Sequence, residues 1–158
     1  RLPIARWDMS SEQLNRGRRS IPGQVYVLST TCHARQRRFL TKALADCVIK
    51  QFHEMETLGH VCSLAWVVMP DHMHWMLQLK SGTLAHLARR VKSSSALALN
   101  RSSGTQGRVW QAGYFDHAVR AEESLQRQAM YILANPVRAG LACAIGEYPF
   151  AWCVWGLD

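Results

Sequence analysis

Two apolar runs separated only by Pro70-Asp71 constrain the fold of this chain more than any other feature of its 158 residues. Residues 61–69 read VCSLAWVVM and residues 72–79 read HMHWMLQL, and each run has the length of a buried strand. A proline followed by aspartate interrupts an extended run and favours a turn. The sequence therefore predicts two neighbouring strands joined by a tight connection.

The segments around this pair alternate between strand and helix patterns. Two further strands are predicted at Gln24–Thr31 and Phe115–Arg120. Three helices are predicted from apolar residues at helical spacing: Arg37–Leu58, Leu84–Leu99 and Glu122–Ala134, the last ended by Asn135-Pro136. The order β-α-β-β-α-β-α predicts an α+β fold of the ferredoxin-like, split β-α-β type, with an antiparallel sheet and an added C-terminal helix.

Length and charge favour one compact domain with a polyanionic partner. A hydrophobic content of 48% suits a single core, which we place in residues 23–158. Residues 1–22 are polar and basic, and we expect them to form a flexible arm. The 19 Lys and Arg residues outnumber the 11 Asp and Glu residues, for a formal charge of +8. Such a charge favours nucleic acid as the partner over an anionic membrane surface.

Cysteine usage and hydropathy argue against several classes of protein. The 5 cysteines are scattered and form no Cys-x-x-Cys pair, so neither a disulfide framework nor a thiolate zinc site is indicated. No apolar stretch approaches the ~20 residues that span a bilayer, and there is no signal-peptide core. We therefore expect a cytoplasmic protein without membrane contact. Because the chain begins with Arg1, we also expect the native N-terminus to extend further.

His72 and His74 provide the first candidate site. Side chains alternate along a strand, so these two imidazoles emerge together while Met73 points the other way. This arrangement suits two ligands of one metal ion. Taken alone, a His-x-His pattern is more often a surface or core pair than a metal site.

The predicted helix from Glu122 carries the second half of the site. At about 100° per residue its positions divide into an apolar side, with Leu125, Ala129, Ile132 and Leu133, and a polar stripe, with Arg127, Gln128, Tyr131 and Asn135. Tyr131 therefore lies off the apolar side, in a setting that suits work at a phosphate better than burial. Tyr131 is therefore a candidate nucleophile. Tyr114, at the entry to a predicted strand, is the rival candidate.

Three motifs in order resemble the single-tyrosine HUH transposases, in particular the REP-associated tyrosine transposases found beside repetitive extragenic palindromes in bacterial genomes. The motifs are WVVMPDHMH at 66–74, VWQ at 109–111 followed by DHAVR at 116–120, and YILANPVRAG at 131–140. Together they extend the resemblance over most of residues 22–152.

The resemblance implies a transposase-like enzyme that nicks and joins single-stranded DNA through a covalent 5′-phosphotyrosine. Tyr131 would be the nucleophile, and His72, His74 and Asn135 would hold a divalent ion, Mg²⁺ or Mn²⁺. Insertion-sequence relatives typically have Gln where this chain has Asn135. The implied partner is a hairpin with a flanking guide sequence, bound in the bacterial nucleoid by a monomer rather than a dimer. No nucleotide cofactor is expected, since the chain has no Gly-x-x-x-x-Gly-Lys loop.

Basic clusters and one aromatic side chain are the predicted DNA contacts. They are Arg16, Arg18, Arg19, Arg35, Arg37, Arg38, Arg89, Arg90, Lys92, Trp110, Arg120 and Arg127. Asp71, Asp116 and His117 are predicted to take structural or supporting roles around the site.

Two other functions are compatible with the same fold. A non-catalytic nucleic-acid-binding module of the RNA-recognition type shares the ferredoxin-like plan, but it needs aromatic residues where His72 and His74 stand. A metal-dependent DNA hydrolase would use water as the nucleophile, and its Tyr131→Phe variant would stay active.

Overall fold

A five-stranded antiparallel sheet organises the computed structural model of the protein, which describes residues 20–120 and 124–157. The strands are β1 (Val25–Thr31), β2 (Val61–Met69), β3 (His72–Leu79), β4 (Phe115–Val119) and β5 (Ala151–Cys153), arranged in the order β4-β1-β3-β2-β5. The helices are α1 (Lys42–Thr57), α2 (Leu84–Ser103), α3 (Leu125–Leu133) and α4 (Asn135–Arg138).

The sheet order confirms the predicted split β-α-β plan. The β1-α1-β2 unit encloses β3, and the β3-α2-β4 unit encloses β1. The predicted tight connection joins β2 to β3, where Met69 pairs with His72 across Pro70-Asp71. The sequence does not predict β5, because its three residues are too few to show a pattern.

The sheet separates two hydrophobic clusters. Helices α1 and α2 cover the first side, the α1–α2 face, where Trp75 stacks on Phe52 with 4.5 Å between ring centroids. Helix α3 covers the opposite side, the α3 face, where Ile132 packs in one cluster with Val67 and Met76. Since side chains alternate along β3, the histidines at 72 and 74 share the α3 face with Met76.

Helix α1 begins five residues later than its apolar spacing predicts, at Lys42 instead of Arg37. The Thr41 hydroxyl accepts a hydrogen bond from the Leu44 amide at 3.4 Å and so caps the helix. The segment before it is extended and donates two backbone hydrogen bonds to the carbonyl of Pro70. Apolar spacing alone cannot reveal such a long-range contact.

Caps also set the ends of the other helices. Helix α2 runs past the predicted end at Leu99 to Ser103, and Gly104, with φ of 63°, supplies the left-handed cap. The Ser124 hydroxyl caps α3, whose predicted start at Glu122 lies outside the described residues. Within the described ranges, no helix combines the length and hydropathy needed to cross a bilayer.

Candidate active site

His72 and His74 lie side by side on the α3 face of β3. Their ring centroids are 4.9 Å apart, and the ring planes are nearly perpendicular, at 78°. The register of β1 against β3 pairs His72 with Thr31 and His74 with Ser29. Two imidazoles and two hydroxyl side chains therefore form adjoining rows on one side of the sheet.

Each imidazole uses its Nδ1 atom for a hydrogen bond within the protein. His72 Nδ1 donates to Asp71 Oδ1 at 2.6 Å, and His74 Nδ1 lies 2.5 Å from Ser29 Oγ. Arg35 Nη1 lies 3.8 Å from the second carboxylate oxygen of Asp71. With both Nδ1 atoms engaged, the Nε2 atoms are the ones left to bind an ion, as in metal sites whose histidines are oriented by a second hydrogen bond.

Its surroundings keep His74 neutral. Desolvation by burial, followed by the nearby charges of His72 and Arg138, lowers the pKa of His74 to about 3. A neutral imidazole is the form that coordinates metals. His74 can therefore act as a ligand at neutral pH without losing a proton.

A proline at the junction of α3 and α4 positions Asn135. Pro136 has no N–H to donate to the Ile132 carbonyl four residues earlier. Asn135 Nδ2 donates to that carbonyl instead, at 2.7 Å. The helix does break here, as predicted, but the chain continues at once as the short helix α4. The amide oxygen, Oδ1, is the Asn135 atom with lone pairs that can bind a metal, and the hydrogen bond of Nδ2 fixes the orientation of the amide group.

Tyr131 is half-buried on α3, off the side on which Ala129 and Ile132 are buried, as the helical wheel predicts. The guanidinium carbon of Arg138 lies 4.4 Å from the centroid of the Tyr131 ring. Arg138 Nη2 also donates to the Tyr131 carbonyl at 2.9 Å. The charge of Arg138 also contributes, after burial and the charge of His72, to the lowered pKa of His74.

The other three tyrosines, Tyr26, Tyr114 and Tyr148, make hydrogen bonds or packing contacts within the fold. The Tyr26 hydroxyl accepts from the Ile21 amide at 2.9 Å. Tyr114, the rival nucleophile, packs against the cluster on the α1–α2 face, across the sheet from the paired histidines. The Tyr148 hydroxyl donates to the Val68 carbonyl at 2.7 Å, and desolvation by burial raises the pKa of Tyr148 to about 12.

Tyr148→Phe is expected to lower the free energy of unfolding by about 1 kcal/mol at neutral pH, because one hydrogen bond is lost. The folded-state pKa of Tyr148, about 12, lies above the ordinary value of 10.0. The contribution is therefore complete below pH 10 and is lost as the pH rises through 12. Denaturant titrations of both proteins at neutral and alkaline pH measure the difference. Identical stability of the two proteins at neutral pH would contradict the assignment.

Most of the predicted DNA-contacting arginines in the described ranges lie at the surface. The exposed ones are Arg35, Arg37, Arg89, Arg120 and Arg127. Arg38 donates to Thr105 Oγ1 at 3.0 Å, and Arg90 lies 3.5 Å from a carboxylate oxygen of Glu54. The three arginines predicted for the N-terminal arm, Arg16, Arg18 and Arg19, lie outside the described residues.

Two predicted DNA contacts are engaged inside the protein. Trp110 is only 5% exposed, and its Nε1 donates to Ser95 Oγ at 2.9 Å. Lys92 Nζ donates to the carbonyls of Gln111 and Gly113 at 2.8 and 2.6 Å. Trp110 thus packs in the core and Lys92 supports a loop, and a contact of either side chain with DNA stays a prediction.

The two supporting residues predicted on strand β4, Asp116 and His117, point to opposite faces of the sheet. His117 pairs with Val27 and so shares the α3 face with the histidine pair, whereas its neighbour Asp116 points to the other side. No group of three or more His, Cys, Asp and Glu side chains within the described ranges is arranged to hold a metal. The predicted ligand set is of another kind, since its third member is an amide oxygen.

Sequence reasoning missed two residues of the site, Ser29 and Arg138. Ser29 lies in a run of three hydroxyl residues, and only the strand register places it opposite His74. Arg138 lies within the YILANPVRAG motif, seven residues after Tyr131 and thus about two helical turns away. That spacing could have predicted that Arg138 lies near Tyr131.

Comparison with known proteins identifies the family. The family model described as transposase IS200 like matches residues 24–135, which is more than half of the chain. The chain therefore belongs to the IS200-like transposase family. This match and the relatives below confirm the resemblance found in the sequence.

Two relatives are assigned to the REP-associated tyrosine transposases, the second provisionally. The Escherichia coli K12 protein is 29% identical over 89 residues, which cover 55% of this chain and 51% of that protein. The chain thus spans about half the length of this relative. The Haemophilus influenzae protein is 23% identical over 144 residues, or 82% of this chain and 79% of that protein.

A solved structure supports the same assignment. It is that of a REP-associated tyrosine transposase bound to a REP hairpin, with 25% sequence identity and a TM-score of 0.68. The match covers 87% of this chain and 81% of the other.

Proposed function

We propose that this protein nicks and joins single-stranded DNA hairpins, with Tyr131 as nucleophile and a divalent metal ion held by His72, His74 and Asn135. One observation carries the proposal: both histidines, with their Nδ1 atoms engaged, lie on the sheet face that is covered by α3, the helix that contains Tyr131. Family membership and the hairpin bound to a relative support the choice of substrate.

In the proposed reaction, the Tyr131 hydroxyl attacks a backbone phosphate of the DNA. The phenolic oxygen loses its proton and bonds to phosphorus, while the bond from phosphorus to the 3′ oxygen breaks. The 3′ oxygen takes up a proton and leaves as a hydroxyl, so the 5′ phosphate stays attached to the protein. The phosphotyrosine ester preserves the energy of the broken bond, and rejoining therefore needs no nucleotide cofactor.

The donor atoms of the chain fit a divalent ion. Two imidazole Nε2 atoms and the Asn135 amide oxygen are compatible with Mg²⁺, and the imidazoles shift the preference towards Mn²⁺. When bound, such an ion would offset the negative charge of the phosphate. Asp71 and Ser29 hold the two imidazole rings in orientation through their Nδ1 atoms.

Exposed arginines supply the affinity for the DNA backbone in this proposal. A chain with a formal charge of +8 gains most of its binding energy from phosphate contacts, so affinity should fall steeply with salt. Both halves of the proposed site lie on one face of the same sheet, from β3 and from the α3–α4 region, and we propose a monomer as the active form.

A hairpin oligonucleotide labelled at its 3′ end tests the proposal. Incubation with Mn²⁺ or Mg²⁺ is expected to give a labelled protein band that resists denaturant, and a chelator should prevent its formation. A fully paired duplex of the same sequence is the matched control and should give no band. Cleavage without an adduct would favour the water-dependent hydrolase, and binding without cleavage would favour the non-catalytic module.

A further inference from the structure

Arg138 is held at two points of contact with the same residue. Its guanidinium covers one side of the Tyr131 ring at 4.4 Å, and its Nη2 donates to the Tyr131 carbonyl at 2.9 Å. The planar guanidinium can stack flat on an aromatic ring while its edge donates a hydrogen bond, whereas a lysine ammonium is a compact charge without such a plane. The contact is therefore specific to arginine.

The backbone that carries Arg138 is itself well anchored. The Arg138 amide donates to the Ala134 carbonyl at 3.0 Å, and Asn135 Nδ2 bonds to the Ile132 carbonyl at 2.7 Å. Pro136, within the same turn, has a fixed φ angle. The constrained backbone of the α3–α4 junction thus places the Arg138 guanidinium over the Tyr131 ring. A side chain presented in this way can fix the orientation of its neighbour.

We propose that Arg138 is a positioning residue that holds the Tyr131 ring in one orientation on the face of the sheet that carries His72 and His74. The inference depends on the proposed role of Tyr131 as the nucleophile. A half-buried phenol rotates about two side-chain torsions, and attack requires one narrow range of both. The arginine removes part of this freedom before DNA binds.

Fluorine NMR of protein labelled with 3-fluorotyrosine reads the ring contact directly, without DNA or metal. Tyr131→Phe assigns the Tyr131 resonance by its disappearance. In Arg138→Gln and Arg138→Lys this resonance is expected to shift and narrow, because the stacked guanidinium no longer covers the ring and the ring moves more freely. Arg101→Gln, at the end of α2, is the matched control and should leave the resonance unchanged. An unchanged resonance in both Arg138 variants would overturn the proposal.

Single-turnover formation of the adduct provides the second measurement. Misplacement of the nucleophile is expected to lower the rate at saturating hairpin about 10- to 100-fold in both Arg138 variants. The dissociation constant for the hairpin should change by less than about threefold, because the effect lies in the reaction step. If Arg138 were only a phosphate contact, Arg138→Lys would restore the rate and Arg138→Gln would mainly weaken binding, which would overturn the proposal.

The two measurements separate this inference from the proposed function. If the wild-type protein forms no adduct, the proposed function fails. The fluorine resonance still tests the contact between Arg138 and Tyr131, because it is measured without DNA or metal. Thermal unfolding midpoints of all variants show whether each one is folded. Should Arg138→Gln fail to fold, Arg138→Lys carries both measurements, because it preserves the positive charge.

Discussion

Tyr131→Phe is expected to abolish the denaturant-resistant protein–DNA adduct, with a loss of about 1,000-fold or more. The substitution removes only the oxygen that would bond to phosphorus. The ring that Arg138 covers is preserved, so the α3–α4 junction and hairpin binding should be unaffected. A gel assay of the 3′-labelled hairpin measures the adduct, and a binding titration without metal ions shows that the variant still recognises DNA.

Tyr114→Phe is the matched control for this result. Tyr114 packs against the cluster on the α1–α2 face, so its phenol is on the wrong side of the sheet for the histidine pair. This variant should form the adduct at close to the wild-type rate. An adduct that persists in Tyr131→Phe and disappears in Tyr114→Phe would reverse the assignment. Cleavage that persists in both variants without an adduct would point to water as the nucleophile.

His72→Ala and His74→Ala are each expected to weaken Mn²⁺ binding about 100-fold or more. Loss of a residue that only orients a metal ligand lowers metal affinity roughly 10- to 100-fold. Loss of the ligand itself should lower the affinity at least as much. Calorimetry or the electron paramagnetic resonance of Mn²⁺ measures the affinity in the absence of DNA. Adduct formation should fall in parallel at a fixed metal concentration.

Two further variants sharpen the metal experiment. His86→Ala is the control, because His86 is an exposed residue in the first turn of α2, across the sheet from the pair. It should bind Mn²⁺ like the wild type. Ser29→Ala retains both imidazoles but removes the partner of His74 Nδ1, so its loss should be intermediate, about 10-fold. Wild-type affinity in His72→Ala and His74→Ala would remove the proposed metal site.

Local periodicity accounts for what could be predicted from the residues alone. The alternation of side chains along β3 places His72 and His74 together whatever the rest of the fold does. The helical wheel likewise separates Tyr131 from the apolar side of α3. The order of strand and helix patterns was sufficient for the split β-α-β plan, since few topologies accommodate it. Each of these predictions depends on residues that are near one another in the chain.

The partners of these residues required the tertiary structure. The register between β1 and β3 sets Ser29 against His74, and the packing of α2 buries Trp110. The side of the sheet on which α3 packs decides that the helix carrying Tyr131 and the histidine pair share one face. Alternation specifies that two side chains share a face of the sheet. Only long-range strand pairing specifies which face this is and which residues of the neighbouring strand lie opposite them. Contacts between residues distant in the chain leave no periodic trace in a single sequence.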